Sequence, residues 1–216
     1  MISLEEFCKP IMVARKPIDG GHRAYKMDST AKESDEQNAP DMRSAVGLGT
    51  CECCDYFLPR NNSIVLIEET QLNRGKEDKK KKLRKNCPYL SEDDLGKYAD
   101  ELIKDEMVLK AYGSMLVLCR LAEKCAAAKK LMRGKKYKFW LVASAAEGAR
   151  LKERREDDRQ DERQAQDNLK DFFQKSFGRI KSGLSGKVVD NKAVDDVAVM
   201  STEDLEKLLS ETARSP

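Results

Sequence analysis

Two short apolar runs, at 56–58 (Tyr-Phe-Leu) and 64–67 (Ile-Val-Leu-Ile), are separated only by Pro59, Arg60, Asn61, Asn62 and Ser63. That spacing leaves the chain few choices. Pro, Asn and Ser are residues that turns use for a fixed φ or for local side-chain hydrogen bonds. Ile and Val are stiff at χ1 and suit a pleated surface. The segment therefore reads as a β-hairpin. Each strand carries acid at one end: Asp55 where the first begins, Glu68 and Glu69 where the second finishes. Antiparallel pairing sets those two ends side by side, so the carboxylates converge.

The stretch after the hairpin sets the fold class. Residues 92–132 repeat apolar side chains at a spacing near 3.6, with Leu95, Ala99, Leu102, Met107, Tyr112, Met115, Leu116, Cys119, Ala122 and Ala126 as the predicted inner face. Ser91 followed by Glu92, Asp93 and Asp94 supplies a capping serine and an acidic first turn. Gly113 marks a kink, a close contact or a division into two helices, and Gly134 a stop. Residues 137–143 (Tyr-Lys-Phe-Trp-Leu-Val-Ala) then read as a strand buried on both faces. A strand, a long helix and a buried strand in that order predict a parallel crossover, hence an α/β fold with a small mixed sheet.

The remaining segments are read more coarsely. Ser3 with Glu6 resembles a capping box before a short helix, and residues 22–27 suit a brief strand. Residues 28–41 are polar and acidic, as exposed loops are. Residues 73–86 concentrate Arg74, Lys76, Lys79, Lys80, Lys81, Lys82, Arg84 and Lys85 against Glu77 and Asp78, and read as a mobile basic loop. Residues 147–175 alternate acids and bases, which predicts a charged helix or helical arm with Leu169, Phe172, Phe173 and Phe177 as its docking stripe. Residues 1–179 are expected to form one domain that includes this helix. Residues 180–216 come after it as a C-terminal strand–helix appendage.

Composition narrows the function. The chain has 216 residues, 41 Lys and Arg against 38 Asp and Glu, and a formal charge of +3. A balance this close to neutral means that any contact with nucleic acid rests on local clusters. No apolar run approaches the roughly 18 residues that span a bilayer, and residues 1–6 are too acidic for a signal peptide. Seven cysteines without an export signal suggest reduced thiols in a cytoplasmic protein, with no membrane partner. Cys51, Cys53 and Cys54 crowd together, with Cys87 as an available fourth thiol, yet Cys-x-Cys-Cys is not a zinc spacing and zinc is not expected. Cys119 and Cys125 read as helix packing residues. His22, the sole histidine, has no company suggesting nucleophilic catalysis.

The order of an Asp opening one strand, an acid ending the next, a long helix and a buried strand, over roughly residues 51–145, resembles the PD-(D/E)xK, or restriction-endonuclease-like, superfamily. The resemblance implies a nuclease-like protein using Mg²⁺ or Mn²⁺, with Asp55 and Glu68 as metal ligands and catalytic residues. The family lysine falls at Thr70, or at Gln71 if Glu69 is the acid and metal ligand. That departure leaves open a degenerate enzyme that binds nucleic acid, DNA or RNA, without cutting it. Lys97, from the next helix, is a candidate replacement. Glu68 is preferred over Glu69 because Ile67 then joins Val65 in the core. The basic run at 74–85 would contact phosphates beside the site. The alternative is a non-catalytic interaction or structural component on the same α/β core, with the helix at 147–175 facing a protein partner. In that case the acids are solvated turn residues.

Overall fold

The computed structural model describes residues 2–28, 41–143 and 194–213, together with Gln164 and Asp167. Six strands form one mixed sheet: β1 (Cys8–Pro10), β4 (Arg23–Lys26), β5 (Tyr56–Pro59), β6 (Ser63–Thr70), β7 (Lys136–Ala143) and β8 (Asp196–Ser201), in that spatial order. The first four pair antiparallel, whereas β6, β7 and β8 run parallel. A separate two-stranded hairpin joins β2 (Met12–Val13) to β3 (Lys16–Pro17). The helices are α1 (Met42–Ala45), α2 (Leu72–Asn86), α3 (Glu92–Lys124), α4 (Ala126–Met132) and α5 (Thr202–Ala213). Leu4–Phe7 is a single 3₁₀ turn, and Ser3 makes no side-chain cap there.

The unbroken apolar runs of β6 and β7 are explained by burial on both faces. Ile64, Leu66, Phe139 and Leu141 enter a core shared with α3 and α1. Val65, Ile67, Trp140 and Val142 enter a second core beneath α5 and the β2–β3 hairpin. Alternation along a strand sends consecutive residues to opposite faces, so a strand between two cores has no polar position to spare. α3 carries the crossover from β6 to β7, as the order of elements predicts. Its start is fixed by Ser91, whose hydroxyl accepts from the Asp94 amide at 3.1 Å.

The inner face of α3 is rotated from the predicted one. Leu95, Ala99, Ile103, Met107, Ala111, Ser114, Val117, Leu118 and Leu121 are buried, whereas Leu102 is 42% and Leu116 50% exposed and Cys119 also lies on the outside. Apolar residues occur on both sides of this helix, so periodicity does not choose between them; Ala99, Ala111 and Ser114 on the buried side permit close approach. Gly113 makes the closest approach: a Cβ there would stand 1.8 Å from the Glu52 carbonyl oxygen. It is a packing contact rather than a kink. The break falls instead at Cys125, between α3 and α4.

The basic run at 73–86 is helix α2, not a loop. Lys76 reaches Asp100 at 2.7 Å, Lys79 reaches Glu106 at 2.5 Å, and Arg84 pairs with Glu92. The acids of α3 thus neutralise one side of a run whose self-repulsion would otherwise keep it extended. Over its described residues, the C-terminal unit continues the main sheet through β8, whose Val197 stands opposite Phe139 of β7. Of the predicted helix at 147–175, Gln164 and Asp167 are helical and exposed, and the rest lies outside the described residues. No helix among the described residues is long and apolar enough to cross a membrane.

Candidate active site

The β5–β6 register brings Tyr56 opposite Ile67, and one further step puts Asp55 opposite Glu68. The segment leading to Asp55 is pinned from two sides. The Cys54 amide donates to Ser114 Oγ at 2.7 Å, and Ser114 Oγ donates to the Lys110 carbonyl at 2.7 Å. The Met27 amide donates to the Asp55 carbonyl at 2.8 Å. Asp55 therefore sits where α3, β4 and the hairpin meet. Its Oδ2 accepts from the Glu69 amide at 2.8 Å, which locks the carboxylate to the end of β6.

Glu68 lies on the α3 side of the sheet and is only 2% exposed. Lys110 Nζ, from the middle of α3, lies 2.5 Å from Glu68 Oε1. Glu68 Oε2 is buried and accepts no well-formed hydrogen bond among the described residues, although the Asp55 backbone amide lies close enough to the carboxylate to favour its charged form. Two carboxylates thus face one ammonium. Burial pushes the Asp55 carboxyl up to about 6, with the Glu69 amide and Lys110 opposing. Burial, then the Asp55 charge, holds Glu68 well above the usual carboxylate range, with Lys110 opposing. Burial works against the Lys110 charge as well, but the Glu68 carboxylate outweighs it and raises Lys110. One carboxylate is matched by Lys110 and the other is in excess, which raises the proton affinity of both acids.

Glu69 points to the opposite face. Its Oε1 accepts from the Ala14 amide at 2.9 Å, in the β2–β3 turn. That turn holds Ala14 at φ 50° and Arg15 at φ 62°, left-handed backbone that residues with a Cβ adopt at some cost. Thr70 ends β6, and Gln71 caps α2 through its backbone position alone. Neither hydrogen-bonds a carboxylate among the described residues. Lys97 is exposed near the start of α3, 13 positions from Lys110 or about 20 Å along the helix axis. The lysine beside Glu68 is therefore Lys110, not Lys97. Its sequence signal is a base three residues after Met107 and one before Ala111, at the edge of the buried stripe.

Among the described residues, no group of three or more His, Cys, Asp or Glu side chains is arranged to hold a metal ion. Cys53 and Cys54 are core residues, and burial pushes both thiols up; Cys87 is exposed beyond α2. Of the basic residues, Lys76, Lys79 and Lys80 have acidic partners and are half-buried. Arg74, Lys81, Lys82 and Lys85 are exposed. Arg74 stands one helical turn after Gln71, at the start of α2. Comparison of the chain with protein-family models, with curated proteins and with solved structures finds no match in any of the three.

Proposed function

We propose that the protein is a metal-dependent phosphodiesterase of the restriction-endonuclease-like kind, acting on nucleic acid. The observation that carries this reading is the convergence of two desolvated carboxylates, Asp55 and Glu68, on the single ammonium of Lys110, with Glu68 Oε2 short of a well-formed hydrogen bond among the described residues. Two desolvated carboxylates that share one counter-charge are costly, and a divalent cation is the partner that two neighbouring carboxylates suit. Mg²⁺ is bound through one or two carboxylates, with waters and substrate phosphates completing the shell. Asp55 and Glu68 fit that donor set. The ion's contribution would be to activate water and offset charge on the phosphodiester. Lys110 holds Glu68 in place and brings to the site the positive charge that Thr70 cannot supply. The exposed cations of α2 would grip phosphates, giving affinity without sequence readout.

The test is incubation of plasmid and short oligonucleotides with Mn²⁺ or Mg²⁺, with EDTA as control. Asp55→Ala, Glu68→Gln and Lys110→Met are each expected to lower the cleavage rate about 100-fold or more, whereas Glu69→Ala is mild. Calorimetry should show Mn²⁺ binding that Glu68→Gln abolishes. A wild-type chain that neither binds Mn²⁺ nor cleaves overturns the proposal. The second reading, a non-catalytic structural component, draws on the Lys110–Glu68 pair itself, closed inside the helix–sheet interface. On that reading Mn²⁺ leaves the melting temperature unchanged.

A further inference from the structure

At the other end of β6, the turn between β5 and β6 is fixed by its backbone. The Arg60 amide donates to the Ser63 carbonyl at 2.8 Å, and the Lys136 amide donates to the Asn62 carbonyl at 3.1 Å. Lys135 Nζ donates to the Arg60 carbonyl at 2.7 Å. With the main chain spoken for, the side chains of Arg60, Asn61 and Asn62 line a cleft of about 750 Å³. Val65, Trp140 and Leu208 of α5 supply its apolar lining; Trp140 is a second-core residue only 8% exposed, and Leu208 is 36% exposed.

The charges of this cleft are unbalanced. Lys138 faces Asp196 at 3.3 Å, and Lys135 is occupied with the turn. The Arg60 guanidinium has no ion pair or side-chain hydrogen bond among the described residues. Burial lowers its affinity for the proton, and no neighbouring carboxylate among those residues offsets the effect. A half-buried guanidinium without an anion is a group waiting for one, and its planar fork matches a phosphate. Beside it stand two amides, each both donor and acceptor, next to a lining that is apolar and in part aromatic. Phosphate at one end, hydrogen-bonding edge and flat apolar body at the other is the description of a nucleotide.

We propose that this cleft binds a nucleotide, its phosphate on Arg60, its base against Leu208 and the small exposed part of Trp140 and read by Asn61 and Asn62. The nucleotide is either free or one unit of a strand. The site lies about 17 Å from the acids, taking the five steps along β6 from Ser63 to Glu68 at about 3.3 Å each, and it needs no metal.

Trp140 is the single tryptophan of the chain, so its fluorescence reports this cleft alone. The full-length protein is titrated in EDTA with AMP, adenosine, inorganic phosphate and an oligoadenylate of about five nucleotides, by Trp140 fluorescence and calorimetry. Saturable AMP binding is expected, at least about tenfold tighter than adenosine or phosphate. Arg60→Gln should lose that advantage, while its melting temperature stays level or rises because an unpaired buried charge is gone. Oligoadenylate tighter than AMP assigns the site to a strand; AMP equal or tighter assigns it to a free nucleotide. No saturable binding of AMP or oligoadenylate, or binding indifferent to Arg60→Gln, overturns the proposal. Because EDTA is present throughout, these outcomes do not depend on whether Asp55 and Glu68 bind metal.

Discussion

Glu68 and Asp55 oppose each other across the hairpin with Lys110 as their common counter-charge, and this makes stability depend on pH in a definite direction. A carboxyl whose pKa is raised on folding stabilises the protein while protonated, and that contribution is lost as pH rises through the folded value. For Asp55, ordinarily at 3.8 and here near 6, the loss falls between about pH 4 and pH 6 and amounts to at most about 3 kcal/mol. The metal-free protein should therefore melt at a higher temperature at about pH 5 than at about pH 7.5. Asp55→Asn should flatten that difference, as measured by thermal melts across the range. Removing Lys110 acts the other way. Lys110→Met strands Glu68 in the core and should cost about 3–5 kcal/mol, whereas Lys110→Met with Glu68→Leu should recover most of it, read from denaturant melts. The opposed acids are legible in the sequence because a short turn sets which strand ends meet. Lys110 is not, since its distance from Glu68 depends on how far α3 is rotated about its axis.

That rotation is settled at the level of elements, by the contact of Gly113 with the Glu52 carbonyl. Gly113→Ala should lift α3 from residues 51–54, costing about 1–3 kcal/mol or more, and should weaken Mn²⁺ binding in calorimetry, since the same segment carries Asp55. The periodicity of 92–132 shows a helix, but its apolar residues on two sides do not say which side faces in. The sequence misleads about α2 for a related reason. A basic run judged alone repels itself, and only the acids of α3 standing opposite make it a helix. Its two faces are accordingly expected to behave differently. Lys79→Ala removes a half-exposed ion pair and should cost at most about 1 kcal/mol. Lys81, Lys82 and Lys85 changed together to Ala should leave stability unchanged. The same change should weaken oligonucleotide binding and reduce its salt dependence by about one for each phosphate no longer neutralised, as followed by anisotropy at several salt concentrations.

Across the whole molecule, the second core is closed by the C-terminal residues. Val197 packs in the first core, whereas Met200, Leu205 and Leu209 are all buried in the second, and burial of each is worth about 1.5–3 kcal/mol. Together that is comparable with the entire net stability of a domain. A chain ending at residue 193 should not fold stably: its Trp140 emission should lie at the red, solvent-exposed position and show no cooperative melt. The unbroken apolar runs of β6 and β7 already imply cover on both faces. Which segment supplies the second cover is not legible, because a short apolar strand after a long polar stretch carries no mark of the sheet it joins.

The parallel crossover also dictates a sequence of events in time. Asp55 and Glu68 belong to a hairpin with a short connection, a structure that closes within about 1–10 μs. Lys110 lies 42 residues beyond Glu68, and the pairing of Ser63 with Lys136 encloses a far longer loop, whose closure comes late. The expected order is that the two like charges meet before their neutralising partner arrives. Lys110→Met should therefore speed unfolding more than it slows folding in stopped-flow measurements. Until α3 docks, solvent is all that screens the acids from each other.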